Sequence, residues 1–176
     1  NGTVGQQMRK PVEFDYACAA SSLLVMHSDG LQSRWTLERY PGLALRHPGV
    51  FASLSALAPI CAPMRCPWGV KAFSGYLGED RSTWAAHDAS ELMRAQRSAP
   101  YPQGILIDQG LADKFLAEQQ LLPEAFEEAC AAVGQPLTMR RHAGYDHGYY
   151  FIATMVEDHM RHHAAMLAAS HGEPNR

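Results

Sequence analysis

No apolar run in this sequence approaches the roughly 18 residues of a membrane-spanning helix, and no succession of basic, apolar and small-residue regions resembles a secretory leader. Membrane insertion and secretion are therefore not expected. Cysteine is scarce: Cys18, Cys61, Cys66 and Cys130 show no Cys-x-x-Cys spacing and are too few for a disulfide scaffold, so free thiols and a reducing, cytoplasmic compartment are expected. An excess of one charge is also lacking. A formal net charge of -3, with acidic and basic residues mixed along the chain, gives no electrostatic case for a nucleic-acid or anionic-membrane partner. Internal repeats and low-complexity segments are absent, as is the zinc motif H-E-x-x-H. What remains is globular: 176 residues, 47% hydrophobic and 19% charged, enough for a core and for one domain or a little more.

The first twenty or so residues are interrupted by Gly2, Gly5 and Pro11 and predict an irregular lead-in. The run Leu23 to Met26 then reads as a buried strand ending in the turn Ser28-Asp29-Gly30. Two Pro-Gly pairs, Pro41-Gly42 and Pro48-Gly49, break what lies between this strand and the next, expected within Val50 to Ile60. Cys61 to Gly78, rich in Pro and Gly, predicts an excursion with at most a short helix at Val70 to Phe73; its aromatics Trp68, Phe73 and Tyr76 either line a cleft or form a satellite cluster. Asp80 to Arg97 is partly helical, with Ser82 and Asp88 as caps. Ile105 to Ile107 is a strand closed by Gly110, a helix follows Asp113, and another ends at Gly134. The last strand is Leu137 to Arg140, and an amphipathic helix runs from Tyr149 to about Ala169. Strands alternating with helices point to an α/β fold with a mostly parallel sheet flanked by helices.

In such a sheet, reactive groups collect on loops at the carboxyl ends of the strands. Three ends stand out: Ser28, Asp113 and His147, in the order nucleophile, acid, histidine that characterises α/β-hydrolases. His147 lies on a loop, and an imidazole accepts and returns a proton near neutrality; taken alone, it is more readily read as a hydrogen-bonded loop residue with no chemistry. Gly30 matches the second glycine of G-x-S-x-G, but Met26 replaces the first, where a side chain crowds the strained nucleophile turn. Asp108 competes with Asp113, but lies at the strand end instead of along the loop, so Asp113 is favoured as the acid. Asp146 is expected to shape the loop by bonding backbone. His159, His162 and His163 share helical spacing without a completing carboxylate or cysteine, and read as a helix face, with no metal and no cofactor.

Several stretches together resemble the S-formylglutathione hydrolase (esterase D) family. They are Ser55-Ala56-Leu57-Ala58-Pro59-Ile60-Cys61, Cys66-Pro67-Trp68-Gly69-Val70-Lys71-Ala72-Phe73 through Gly78, Ile107-Asp108-Gln109-Gly110-Leu111-Ala112-Asp113-Lys114-Phe115-Leu116, and Gly144-Tyr145-Asp146-His147-Gly148-Tyr149-Tyr150-Phe151-Ile152-Ala153. The resemblance extends from about Leu43 to Ala169. It implies the C-terminal half of an α/β-hydrolase, with Asp113 and His147 completing a triad with an elbow serine, Ser28, and the Asp29 amide as one oxyanion donor. It further implies hydrolysis of the thioester S-formylglutathione, or small esters, to formate and glutathione in formaldehyde detoxification. Family members need no cofactor, are typically cytoplasmic and are often homodimeric.

The departures lie upstream. Only His27-Ser28 and Gly30 match the family's Gly-His-Ser-Met-Gly-Gly elbow, and Leu31 to Gly42 matches nothing. The sequence thus divides into residues 1–42, a segment of doubtful origin with a remnant of the nucleophile turn, and residues 43–176, the hydrolase part. A start at Asn1 instead of Met suggests processing, a cloned segment or a fragment. A reading-frame disturbance upstream of about Leu43 is one explanation. The alternative to the hydrolase is a non-catalytic remnant without a working elbow.

Overall fold

The computed structural model describes residues 43–171, with side chains from 44 to 169. Ser28 and Asp29 lie outside the described residues, as does the strand expected at Leu23 to Met26. The chain runs through α1 (Leu43–Arg46), β1 (Ser55–Leu57), α2 (Pro67–Leu77), a 3-10 helix (Arg81–His87), α3 (Ala89–Arg94), β2 (Ile105–Gly110), α4 (Lys114–Ala117), α5 (Pro123–Ala132), β3 (Leu137–His142) and α6 (Tyr149–His171). Among the described residues the strands form a parallel sheet in the order β1-β2-β3. Ser55 pairs with Leu106, Ile105 with Leu137 and Gly110 with His142. The central strand is buried along its whole length, as its apolar run requires.

Alternation along β2 sorts the core into two layers. Ile105 and Ile107 face one side, packing with Leu45, Met93, Tyr101, Phe126 and Cys130 from α1, α3, α5 and their connections. Asp108 faces the other side, where α6 lies. Phe151 and Met155 of α6 pack there with Ala58 and Leu121.

The strand expected within Val50 to Ile60 is shorter than its apolar alternation suggests. Ladder bonds reach from Leu54 O, which accepts from Leu106 N–H, to Ala58 N–H on Asp108 O. Beyond that, Ala58 adopts a left-handed φ of 45° and Pro59 follows, which ends the ladder.

The short helix expected at Val70 to Phe73 is instead the full α2 of 11 residues. Pro67 sits where its missing N–H costs nothing, and the Cys66 sulfur accepts from Gly69 N–H at 3.3 Å as the cap. Gly69 does not weaken the helix by chance: a Cβ there would lie 2.1 Å from Pro63 O. The 3-10 helix is capped by Asp80, whose carboxylate accepts from Ser82 N–H, so the cap is Asp80 and not Ser82. Asp88 caps α3 as expected, through Ser90 and Glu91 N–H. Gly134, at φ 68°, takes the left-handed position after α5. Cys61, Cys66 and Cys130 are buried free thiols. Burial pushes the Cys130 thiol up to about 12 and raises Cys61 and Cys66 as well, so none of these is a nucleophile at neutral pH.

Candidate active site

The segments following β2 and β3 are joined backbone to backbone. Leu111 N–H donates to His142 O and Ala112 N–H to Tyr145 O, each at 2.9 Å. The approach is close enough to demand glycine at Gly110, where a Cβ would meet Tyr145 O at 2.4 Å. Gly144 turns the chain at φ 79°. Phe151, 1% exposed, anchors the start of α6. His147 is thus fixed on both sides, although its loop lies at the surface.

Asp113 caps α4, its Oδ1 accepting from Phe115 N–H at 2.8 Å. Its Oδ2 accepts from His147 Nδ1 at 2.7 Å and from Gln109 Nε2 at 3.1 Å. A carboxylate oxygen accepts only, so the imidazole proton resides on Nδ1 and Nε2 is the basic nitrogen of the neutral ring. Asp113 is buried while the His147 side chain is 24% exposed. This is the geometry of a general base with its orienting acid. The Phe115 ring meets the His147 ring edge-on at 5.0 Å and is itself packed by Trp68 at 4.5 Å. A cleft of about 490 Å³ opens beside the imidazole, lined by Ala112, Lys114, Phe115, Asp146, His147 and Gly148.

Of the aromatics considered for a cleft, Trp68 supports its wall through Phe115. Phe73 instead packs on Trp84 in a separate cluster, and Tyr76 is exposed. Asp146 forms no side-chain hydrogen bond among the described residues, contrary to its expected role. Its carboxylate instead crowds Gly148, where a Cβ would lie 2.6 Å from Oδ1.

Asp108, the competing acid, is occupied elsewhere. Arg140 Nε and Nη2 both donate to it at 2.6 Å, His142 Nε2 at 2.6 Å and His159 Nε2 at 2.7 Å. These donors hold its carboxyl well below the usual carboxylate range despite burial, which opposes them. From His159 the hydrogen bonds continue through Ser55 to His163 and on to Ser53, at 2.7 to 2.9 Å. The helical histidines therefore fasten α6 to the sheet. No group able to hold a metal ion occurs among the described residues.

The family model described as "Putative esterase" matches residues 42–162. The chain belongs to this esterase family. Curated relatives of the esterase include the S-formylglutathione hydrolase of Bos taurus, 54% identical over 127 residues, and that of Arabidopsis thaliana, 50% identical over 123. These alignments cover 72% and 70% of this chain but only 44% and 42% of the relatives. The chain thus spans less than half the length of the curated relatives it matches. Among solved structures, an S-formylglutathione hydrolase from Agrobacterium tumefaciens is 46% identical, with a TM-score of 0.66 over 71% of this chain and 44% of that one. Esterase B from Lactobacillus rhamnosis, 15% identical with a TM-score of 0.51, shares the fold alone. The three parallel strands and their helices are part of an α/β-hydrolase fold.

Proposed function

We propose that this chain acts as a serine thioesterase on S-formylglutathione, with His147 as general base and acid, Asp113 as its orienting carboxylate and Ser28 as nucleophile. The observation that carries the proposal is the 2.7 Å bond from His147 Nδ1 to buried Asp113, in a chain 50% to 54% identical to S-formylglutathione hydrolases. Ser28 Oγ attacks the formyl carbonyl while its proton passes to His147 Nε2, and the oxyanion accepts from Asp29 N–H. Collapse breaks the carbon–sulfur bond, and His147 returns the proton to the departing thiolate. Water, deprotonated by His147, then cleaves the formyl ester, releasing formate and restoring Ser28. As the resemblance to the family implies, the proposal extends to a role in formaldehyde detoxification, in the cytoplasm, by a homodimer that needs no cofactor.

Hydrolysis of S-formylglutathione by the purified chain tests this. Asp113→Asn should lower kcat on the order of 10⁴-fold, and His147→Ala by at least as much. Turnover unchanged in either variant would refute the assignment.

A further inference from the structure

Gln109 precedes the glycine at the end of β2 and is fully buried, 0% exposed. Its Nε2 donates to Asp113 Oδ2 at 3.1 Å and to Gly110 O at 3.0 Å, while its Oε1 has no hydrogen-bond partner among the described residues. The opposite amide orientation would set Oε1 against a carboxylate and a carbonyl, both acceptors, so the network dictates this one. A buried amide with an unpartnered oxygen bears an uncompensated desolvation cost, so stability alone is a weak reason for it. What the amide supplies is a second donor on the oxygen that accepts the hydrogen bond from His147 Nδ1–H.

We propose that Gln109 is a positioning residue that fixes the Asp113 carboxylate for His147. The inference rests on the reading of Asp113 and His147 as acid and base. Rotation about the Cβ–Cγ bond moves both carboxylate oxygens, so Phe115 N–H on Oδ1 and Gln109 Nε2 on Oδ2 together resist it. His147 holds the carboxylate from one side only, and its ring is itself oriented by that carboxylate. The Gln109 amide, buried and bonded to the backbone carbonyl beside it, does not move with the reaction. The neighbouring acidic residue Asp108 lies on the opposite face of β2 and is committed to Arg140, His142 and His159, so it does not substitute.

The test uses the full chain with Gln109→Met, which keeps the length and removes the donor, and Gln109→Glu, which donates only while its carboxyl is protonated. The first readout is the low-field proton resonance of His147 Nδ1, assigned by its loss in His147→Ala. In Gln109→Met that resonance should move upfield or vanish into solvent exchange while thermal stability is retained, and kcat should fall on the order of tenfold with KM unchanged. In Gln109→Glu the resonance should approach its wild-type position as the new carboxyl protonates and depart from it as the carboxyl ionises. A His147 resonance unmoved in either folded variant would overturn the proposal. Absence of turnover in the wild-type chain would instead count against the thioesterase reading, and leaves the resonance test intact.

Discussion

Asp108 and Asp113 are both fully buried, five positions apart on one stretch of chain, and their partners separate their roles. Asp108 gathers two guanidinium N–H groups and two imidazoles; Asp113 receives a backbone amide, a side-chain amide and one imidazole. Asp108→Asn would leave Arg140 beside a neutral amide and place an NH2 against existing donors. It is expected to destabilise the fold by about 3–5 kcal/mol, read as a shifted midpoint in urea denaturation. Asp113→Asn keeps the helix cap and should cost far less stability, its effect falling on turnover. Sequence reading favours Asp113 because it lies beyond the strand, and Asp113 is the one of the two that bonds His147. The role of Asp108 was hidden, since its partners lie 32, 34 and 51 positions away. Gln109 was missed too, although a signal existed: a polar pair, Asp108-Gln109, closes an otherwise apolar run.

Helix α6 docks through imidazoles as well as apolar side chains. His163 bonds Ser55 through Nε2 and Ser53 through Nδ1, and burial, with His162 and His159 nearby, depresses it to about 4. His162 and His159 of the same helix act on it, and the hydrogen bonds through Ser55 and His159 lead to Asp108, which Arg140 and His142 also bond. The unfolded chain takes up the His163 proton near pH 6.5, before the folded one does, so the unfolded state binds more protons as pH falls. Stability is complete above about pH 6.5 and is lost progressively toward pH 4, by a few kcal/mol. Below that, protonation of Asp108 removes more. Denaturant midpoints measured between pH 7 and pH 4 should therefore decline, and His163→Gln should flatten the decline. At this scale α6 was legible from its helical periodicity, β2 from its compact apolar run and β3 from partial alternation, whereas α2 was not. Its proline and internal glycine read as breakers, yet the first is a favourable start and the second meets the Pro63 backbone, a contact no local pattern displays.

At the scale of the molecule, parallel strands bring the segments after β2 and β3 to one edge of the sheet, which is why residues 34 positions apart form the Asp113–His147 pair. That juxtaposition was readable in advance from the alternation of strands and helices. The sheet order was not, because nothing local encodes which strand lies between two others. The nucleophile assignment is the central claim that joins this pair to chemistry, and fluorophosphonate labelling of the full chain with the modified residue mapped by mass spectrometry tests it most directly. The account predicts a single phosphonylated residue, Ser28, with labelling lost in Ser28→Ala and strongly slowed in His147→Ala. Labelling at a different residue, or labelling of Ser28 at the same rate without His147, would contradict it.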